Sequence, residues 1–182
     1  CQDTGQVIVF IETGQDVHIK GDYLENAVNE GVEKCYKDNY FRKSVVKNAL
    51  YDRSNTKTNT PAIIHIKIVQ GDNIDIKVLI KGAGSENKSK TKMLLPTADE
   101  NEIISEIGDM ILSAGVNACP PMFIGIGIGG TLEKSAVMSK EAFFTGETNE
   151  LTEKIKKYIN QKAPEPYKNS YVRSEEHTSE LQ

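Results

Sequence analysis

Two cysteines at the edges of glycine-rich segments are the residues of this chain best suited to chemistry. Cys1 begins the sequence Cys-Gln-Asp-Thr-Gly, which places a carboxylate, Asp3, two positions after the thiol. Cys119 lies in Asn-Ala-Cys-Pro-Pro, directly before an apolar, glycine-rich run over residues 122–130. Thiolates at the edges of ordered glycine-rich loops are what an iron–sulfur cluster requires as ligands. The two segments therefore indicate a metal-cluster site.

A third segment, residues 81–88 (Lys-Gly-Ala-Gly-Ser-Glu-Asn-Lys), completes a set of motifs that resembles the class I fumarate hydratase family and its tartrate dehydratase relatives. The resemblance covers residues 1 to about 162 and is closest to the catalytic alpha subunit of two-subunit members. The family usually has glycine where Ala83 stands. The resemblance implies a hydro-lyase that hydrates fumarate reversibly to (S)-malate. Dehydration of L-tartrate is the alternative within the family.

The resemblance also implies a cofactor, a 4Fe–4S cluster whose open iron acts as a Lewis acid. Cys1 and Cys119 match two of its three cysteine ligands, and the third is expected outside this sequence. A chain with two of the three thiolates is therefore expected to be inactive by itself. Cys35 is interpreted as a small buried hydrophobe on the apolar face of a helix.

Substrate contacts follow from the same resemblance. Gln2, Asp3 and Thr4 match the family's substrate-facing stretch, with Gln2 and Asp3 in substrate binding and Asp3 and Thr4 in catalysis. Arg42, in Phe-Arg-Lys-Ser, matches an arginine that grips a substrate carboxylate with two hydrogen bonds. Gly84 matches a position whose backbone approaches the substrate closely.

Each of these assignments has a simpler alternative in the sequence. Asp-Thr-Gly over residues 3–5 also fits a plain turn, and Arg42 by spacing alone is a surface charge. Residues 59–61 (Asn-Thr-Pro) resemble a family motif but equally well end a loop before a strand. His18 and His65 lie in strand-like runs, where a histidine is either near a site or an ordinary residue of the sheet.

A different class of enzyme is indicated by Gly125–Gly130, which match the dinucleotide-binding pattern G-x-G-x-x-G between a strand and a helix. An NAD-binding dehydrogenase is therefore the second hypothesis. The pattern should stand early in a strand–helix–strand unit and be followed by a strand that ends in an acidic residue. Glu147 has about the right distance but follows no convincing strand. The glycines are interpreted instead as allowing close packing of helix on strand.

Composition limits the remaining choices. The chain of 182 residues is 38% hydrophobic and 26% charged, as in soluble globular proteins. The balance of 22 basic against 26 acidic residues, a net charge of −4, argues against nucleic-acid binding. No run approaches the ~18 apolar residues of a membrane span. The three widely spaced cysteines favour reduced thiols and a cytoplasmic location.

The resemblance further implies the partners, which are a small dicarboxylate substrate and a beta subunit or C-terminal beta domain, within a homo- or hetero-oligomer. The domain prediction is a partial iron–sulfur hydro-lyase domain over residues 1–163 and an irregular segment over 164–172. The last segment, 173–182, resembles a translated sequencing adapter and is predicted to be a non-native tail.

Periodicity predicts an α+β domain with a mixed, largely antiparallel sheet, built from hairpins and flanked by helices, and the resemblance implies that this catalytic domain is incomplete. Strands are expected over 6–12 and 15–19, paired across Thr13 and Gly14, and over 62–69 and 74–80, joined as a hairpin. A helix is expected after Asp22. Further along the chain, helices are expected over 99–114, 131–144 and 151–161, and a buried strand over 122–128.

Overall fold

The computed structural model describes residues 5–115, 118, 122–144, 148–164, 168 and 171–176. The described residues up to Asn87 form one compact unit, and those from Lys88 onward form a second. Among these residues, no helix is both long enough and apolar enough to cross a membrane.

In the part of the chain described, the first unit is a three-stranded sheet with a long helix. Its elements in chain order are β1 (Gln6–Gly14), α1 (Leu24–Asp38), β2 (Ile63–Val69), β3 (Ile74–Lys81) and the single turn α2 (Ala83–Glu86). β1 is the central strand, parallel to β2 and antiparallel to β3. Helices beside a mixed sheet that contains antiparallel strands confirm the predicted α+β class.

β1 is central because its apolar run offers no polar face to solvent. Five consecutive residues, Val7 to Ile11, are each at most 5% exposed. A strand that is buried on both faces is typically a continuous apolar run, as this one is. The predicted pairing of residues 15–19 with this strand is wrong, because β2 and β3 occupy both of its edges.

β2 and β3 are present as predicted, but they do not form the predicted hairpin, because β1 lies between them. Their connection crosses the end of β1, where the backbone N–H of Gly14 donates to the Asn73 carbonyl at 2.8 Å. A Cβ atom on Gly14 would lie 2.2 Å from the Gly71 carbonyl oxygen. The crossing therefore requires glycine at the end of β1.

α1 covers one face of this sheet. Val32 and Tyr36, four residues apart on the helix, pack against Val7, Val9 and Ile11 of β1. Residues spaced by four lie on the same side of a helix, so both reach the sheet. Tyr36 is 1% exposed and brings its hydroxyl to the beginning of β1.

The second unit contains the other elements, which are α3 (Glu100–Gly115), β4 (Phe123–Ile128), α4 (Leu132–Glu141) with a 3₁₀ turn (Ala142–Phe144), α5 (Glu150–Lys162) and β5 (Tyr171–Glu176). The three predicted helices and the predicted strand of this region are confirmed. Asp99 and Asn149 cap α3 and α5 by accepting hydrogen bonds from the N–H groups of Glu102 and Thr152. The apolar core of the unit consists of Ile104, Ile107, Ile126, Ile155, Ile159, Ala163 and Val172.

β5 is parallel to β4 and extends across the boundary that the sequence places at residue 173. Val172 is fully buried, and Ser174 is 8% exposed. Residues 173–176 of the tail predicted to be non-native therefore lie in a strand, and residues 177–182 are outside the described part. The foreign origin of the tail and the assignment of residues 1–163 to one domain remain predictions.

Candidate functional site

The predicted site is only partly within the described structure. Five of its residues lie outside the described ranges, so their roles remain predictions: Cys1, Gln2, Asp3, Thr4 and Cys119. Arg42 and Gly84 are described, both in the first unit and both exposed. Gly5 is the first described residue and therefore marks where the segment of residues 1–4 joins the sheet.

Gly5 is held by segments that are far apart in the sequence. Its carbonyl oxygen accepts a hydrogen bond from Asn59 Nδ2 at 3.1 Å and a longer one from Tyr36 Oη at 3.4 Å. Its φ is +64°, and a Cβ atom would lie 1.9 Å from the Lys81 carbonyl oxygen and 2.4 Å from the Cα of Gly82. These five residues are called the Gly5 junction below. The junction fixes the point at which residues 1–4 meet β1.

Arg42 lies in an irregular stretch that is tied to the junction on both sides. Before it, the N–H of Phe41 donates to the Tyr36 carbonyl at 3.1 Å, and the two rings pack edge to face with centroids 5.5 Å apart. After it, the N–H of Ser44 donates to Asn59 Oδ1 at 2.7 Å. Tyr36 and Asn59 are the side chains that donate to the junction carbonyl. The backbone around Arg42 is therefore positioned relative to the start of β1.

The loop that contains Gly84 starts at the same junction. Gly82 packs against Gly5 and directly precedes α2, in which Gly84 is exposed. Apart from its chain neighbours and the backbone of its own helix, no described residue has an atom within 4 Å of the position that a Cβ on Gly84 would occupy. Packing in this unit therefore does not require glycine at position 84, and its backbone has open space beside it. This space is compatible with the close approach of a substrate.

The first unit thus brings together three parts of the predicted site that are distant in sequence: the residues that follow Cys1–Thr4, the stretch around Arg42, and the Gly84 loop. Asn59 is the residue that sequence reasoning undervalued. Residues 59–61 fit a family motif and a loop terminator equally well, yet Asn59 is fully buried at the junction. The motif was the one feature of the sequence that pointed to Asn59, because the burial of a polar side chain cannot be read from a sequence.

Cys35 is exposed, and its predicted place on the apolar face of α1 is wrong. The neighbouring Tyr36 occupies that face, and two adjacent positions on a helix point in directions about 100° apart. His65 stacks on Phe10 with ring centroids 5.0 Å apart, which is the position of an ordinary residue of the sheet. His18 is exposed beyond the end of β1.

A charge network lies near the other end of β1 from Gly5. Glu12 contacts Lys67 at 3.1 Å and Lys77 at 3.7 Å. The hydrogen bond from Lys67 holds the pKa of Glu12 below its usual value, and the one to Asp75 raises the pKa of Lys77. These side chains are substantially exposed, so the network contributes little to stability. Within the described ranges, no group of three or more histidine, cysteine, aspartate or glutamate side chains is arranged to hold a metal ion.

The first two glycines of the pattern that suggested dinucleotide binding, Gly125 and Gly127, serve the packing of a helix on a strand. A Cβ atom on Gly125 would lie 1.9 Å from the Ser139 carbonyl oxygen, and one on Gly127 would lie 2.1 Å from that of Ser135. Both glycines are within β4, where they let α4 pack directly on the strand. The predicted close packing of helix on strand is therefore confirmed.

Gly5 and Gly84 should respond differently to replacement by alanine. Gly5→Ala should lower the free energy of unfolding by on the order of 3 kcal/mol, because it combines a left-handed φ with a backbone clash. Gly84→Ala should change it by less than about 0.5 kcal/mol. Urea denaturation of the purified protein measures both values. Equal stability of the two variants would contradict the tight packing described at Gly5.

Comparison with known proteins identifies relatives of this chain. A sequence model of the family described as fumarate hydratase (Fumerase) matches residues 1–174. The L(+)-tartrate dehydratase alpha subunit of Escherichia coli (strain K12) is 30% identical over 146 residues, which are 78% of this chain and 47% of that protein. A putative L(+)-tartrate dehydratase alpha subunit of Methanocaldococcus jannaschii is 35% identical over 149 residues, 78% of this chain and 51% of that protein. The chain spans about half the length of these curated relatives.

Proposed function

Because this chain belongs to the fumarate hydratase (Fumerase) family, we propose that the full-length protein is a hydro-lyase that hydrates fumarate reversibly to (S)-malate. The observation that carries the proposal is the convergence of three candidate segments at the Gly5 junction. A small dicarboxylate must be held at its carboxylates while water is added or removed at the carbons between them. Groups from several segments that meet at one place suit this task.

Removing water from a 2-hydroxy acid is difficult because hydroxide leaves poorly and the proton on the neighbouring carbon is only weakly acidic. Arg42 would bind a substrate carboxylate through two parallel hydrogen bonds from its planar guanidinium group. Gln2 and Asp3 would contact the substrate, with Asp3 and Thr4 beside the hydroxyl group that leaves. The open backbone at Gly84 would lie against the substrate, where it would help to exclude water.

We propose a 4Fe–4S cluster as the cofactor, held by Cys1, Cys119 and a third cysteine outside this sequence. The chemistry of the donors fits, since thiolates are the ligands of such clusters. Each cysteine also precedes an anchored residue, Gly5 at the junction and Met122, which is 8% exposed at the start of β4. When bound, the cluster would supply a Lewis acid for the hydroxyl group that leaves. Cys35 is exposed on α1 and is not part of this ligand set.

The proposed partner is a beta subunit or a C-terminal beta domain, in a homo- or hetero-oligomer. The support comes from the relatives, which are named as alpha subunits. A cytoplasmic location is supported by the three widely spaced cysteines, an odd number that does not suit a disulfide scaffold.

Dehydration of L-tartrate is the second candidate. It is favoured by the names of the relatives, two of which are described above as L(+)-tartrate dehydratase alpha subunits. L-Tartrate carries one more hydroxyl group than malate and has the opposite configuration to (S)-malate at its hydroxyl-bearing carbons. The same carboxylate contacts can serve both substrates, so the two candidates differ in how the site contacts the hydroxyl groups.

A substrate comparison tests the proposal. The full-length protein, purified anaerobically with its beta partner, should hydrate fumarate and dehydrate (S)-malate, followed by the ultraviolet absorbance of the double bond. L-tartrate should react with a lower kcat/KM than malate, and a higher value would identify the second candidate instead. Malate oxidation that depends on NAD, without any hydration, would favour the dinucleotide hypothesis and contradict a hydro-lyase.

A further inference from the structure

Asn59 is a fully buried asparagine whose side chain uses both of its ends. Its Oδ1 accepts hydrogen bonds from the N–H groups of Ser44 at 2.7 Å and Val45 at 3.3 Å. Its Nδ2 donates to the Gly5 carbonyl at 3.1 Å. Asn59 is 0% exposed and has a φ of +62°, a conformation that asparagine tolerates better than most residues.

Neither of the two segments joined by this side chain lies within a helix or a strand. Residues 41–45, which include Arg42, belong to no helix or strand. Gly5 comes immediately before β1 and immediately after residues 1–4. The hydrogen bonds of Asn59, together with those of Tyr36, therefore link the backbone near Arg42 to the backbone that leads to Asp3.

We infer that Asn59 is a positioning residue, whose amide aligns Arg42 with the substrate-facing residues Gln2, Asp3 and Thr4. The inference rests on the proposed function, in which Arg42 and these residues act on one dicarboxylate. Asn59 itself touches no substrate in this scheme. It acts through the Gly5 carbonyl on one side and through Ser44 and Val45 on the other.

The chemistry of the amide explains why asparagine is needed. The side chain must donate a hydrogen bond at one end and accept at the other, and asparagine does both. An ionised aspartate has the same shape and can still accept from Ser44 and Val45, but it has no proton to donate to Gly5. Its second oxygen would face the Gly5 carbonyl oxygen and repel it. Asn59→Asp therefore removes the hydrogen bond to the Gly5 carbonyl and keeps those from Ser44 and Val45.

The experiment compares Asn59→Asp, at a pH at which the introduced carboxyl group is ionised, with a control variant in the full-length enzyme with its cluster and beta partner. Asn59→Asp should lower kcat/KM on the order of 100-fold, mainly through a higher KM, because Arg42 and the 1–4 segment are misaligned. The control is Val32→Ala, which weakens the core of the same unit between α1 and β1. It should lower the melting temperature without raising KM.

If Asn59 were only a structural residue, both variants would lose active protein in proportion to stability and keep the wild-type KM. An unchanged KM in Asn59→Asp would therefore overturn the inference. Amide hydrogen exchange provides a readout that does not depend on activity. In Asn59→Asp, amide exchange should accelerate over residues 5–8 but not over residues 43–46. In Asn59→Ala, exchange should accelerate over both segments.

Failure of the proposed function gives a different result from failure of the inference. If the wild-type enzyme hydrates neither fumarate nor another dicarboxylate, the proposed function is wrong. The exchange pattern then still decides whether Asn59 links the two segments. Uniform exchange in all variants would show that it does not.

Discussion

Replacing Cys1 or Cys119 by serine should abolish the visible absorbance of the proposed iron–sulfur cluster together with the proposed hydro-lyase activity. A serine hydroxyl group is not ionised near neutral pH and is a poor ligand for iron, whereas a cysteine thiolate is a strong one. With a ligand lost, the iron content of the purified full-length enzyme should fall in parallel with kcat. Iron analysis, visible spectra and fumarate consumption measure the three quantities on the same anaerobic sample.

Cys35→Ser is the matched control for these variants. The thiol of Cys35 is exposed on α1, and its Sγ lies 3.9 Å from Asn39 Nδ2, a weak contact that serine can replace. The cluster and the activity should therefore remain near wild-type levels. Full iron content and activity in Cys1→Ser or Cys119→Ser would remove that residue from the proposed ligand set.

Arg42→Lys should lower kcat/KM for fumarate by about 30- to 1000-fold, although the positive charge is retained. A guanidinium group forms two parallel hydrogen bonds to a carboxylate. Lysine carries a point charge and cannot form this pair of bonds. Loss of such a charge-assisted contact costs roughly 2–4 kcal/mol of transition-state stabilisation. Steady-state kinetics with fumarate and malate measure the effect. The cluster spectrum should not change, because Arg42 is not a ligand.

The structure offers a close control for this substitution. Arg53 is exposed in the same irregular region, where its Nε donates to the Ala49 carbonyl at 3.0 Å. Arg53→Lys should leave kcat/KM unchanged, and neither variant should shift the melting temperature by more than about 2 °C. If Arg42→Lys behaves like Arg53→Lys, then Arg42 is a surface charge and the assignment of the carboxylate contact is wrong.

Local chemistry in the sequence is sufficient to predict most elements of this fold. The apolar spacing over residues 99–114 predicts α3, and Asp99 caps that helix as its position suggests. Alternating residues predict β2 and β3 at their observed positions. Such features can be predicted because they depend on residues within one or two turns of each other.

The order of the strands could not be read in the same way. The short connection between β2 and β3 is typical of a hairpin, but β1 lies between them. The deciding factor is that β1 is paired on both edges and buried on both faces, an arrangement that its continuous apolar run favours. The side of α1 on which Cys35 lies was also decided by tertiary packing, since the larger Tyr36 fills the space against β1.

For the site, the sequence by itself determined the kinds of groups present: thiols beside glycines, an arginine suited to a carboxylate, and a glycine-rich loop. Only the tertiary structure decided that the backbone before β1, the stretch around Arg42 and the Gly84 loop meet at Gly5. The physical reason is that this meeting depends on contacts between residues far apart in the sequence, above all between Asn59 and Gly5, which are 54 positions apart. A buried side chain that satisfies several backbone groups has no local pattern in a sequence, because its partners are chosen by the fold.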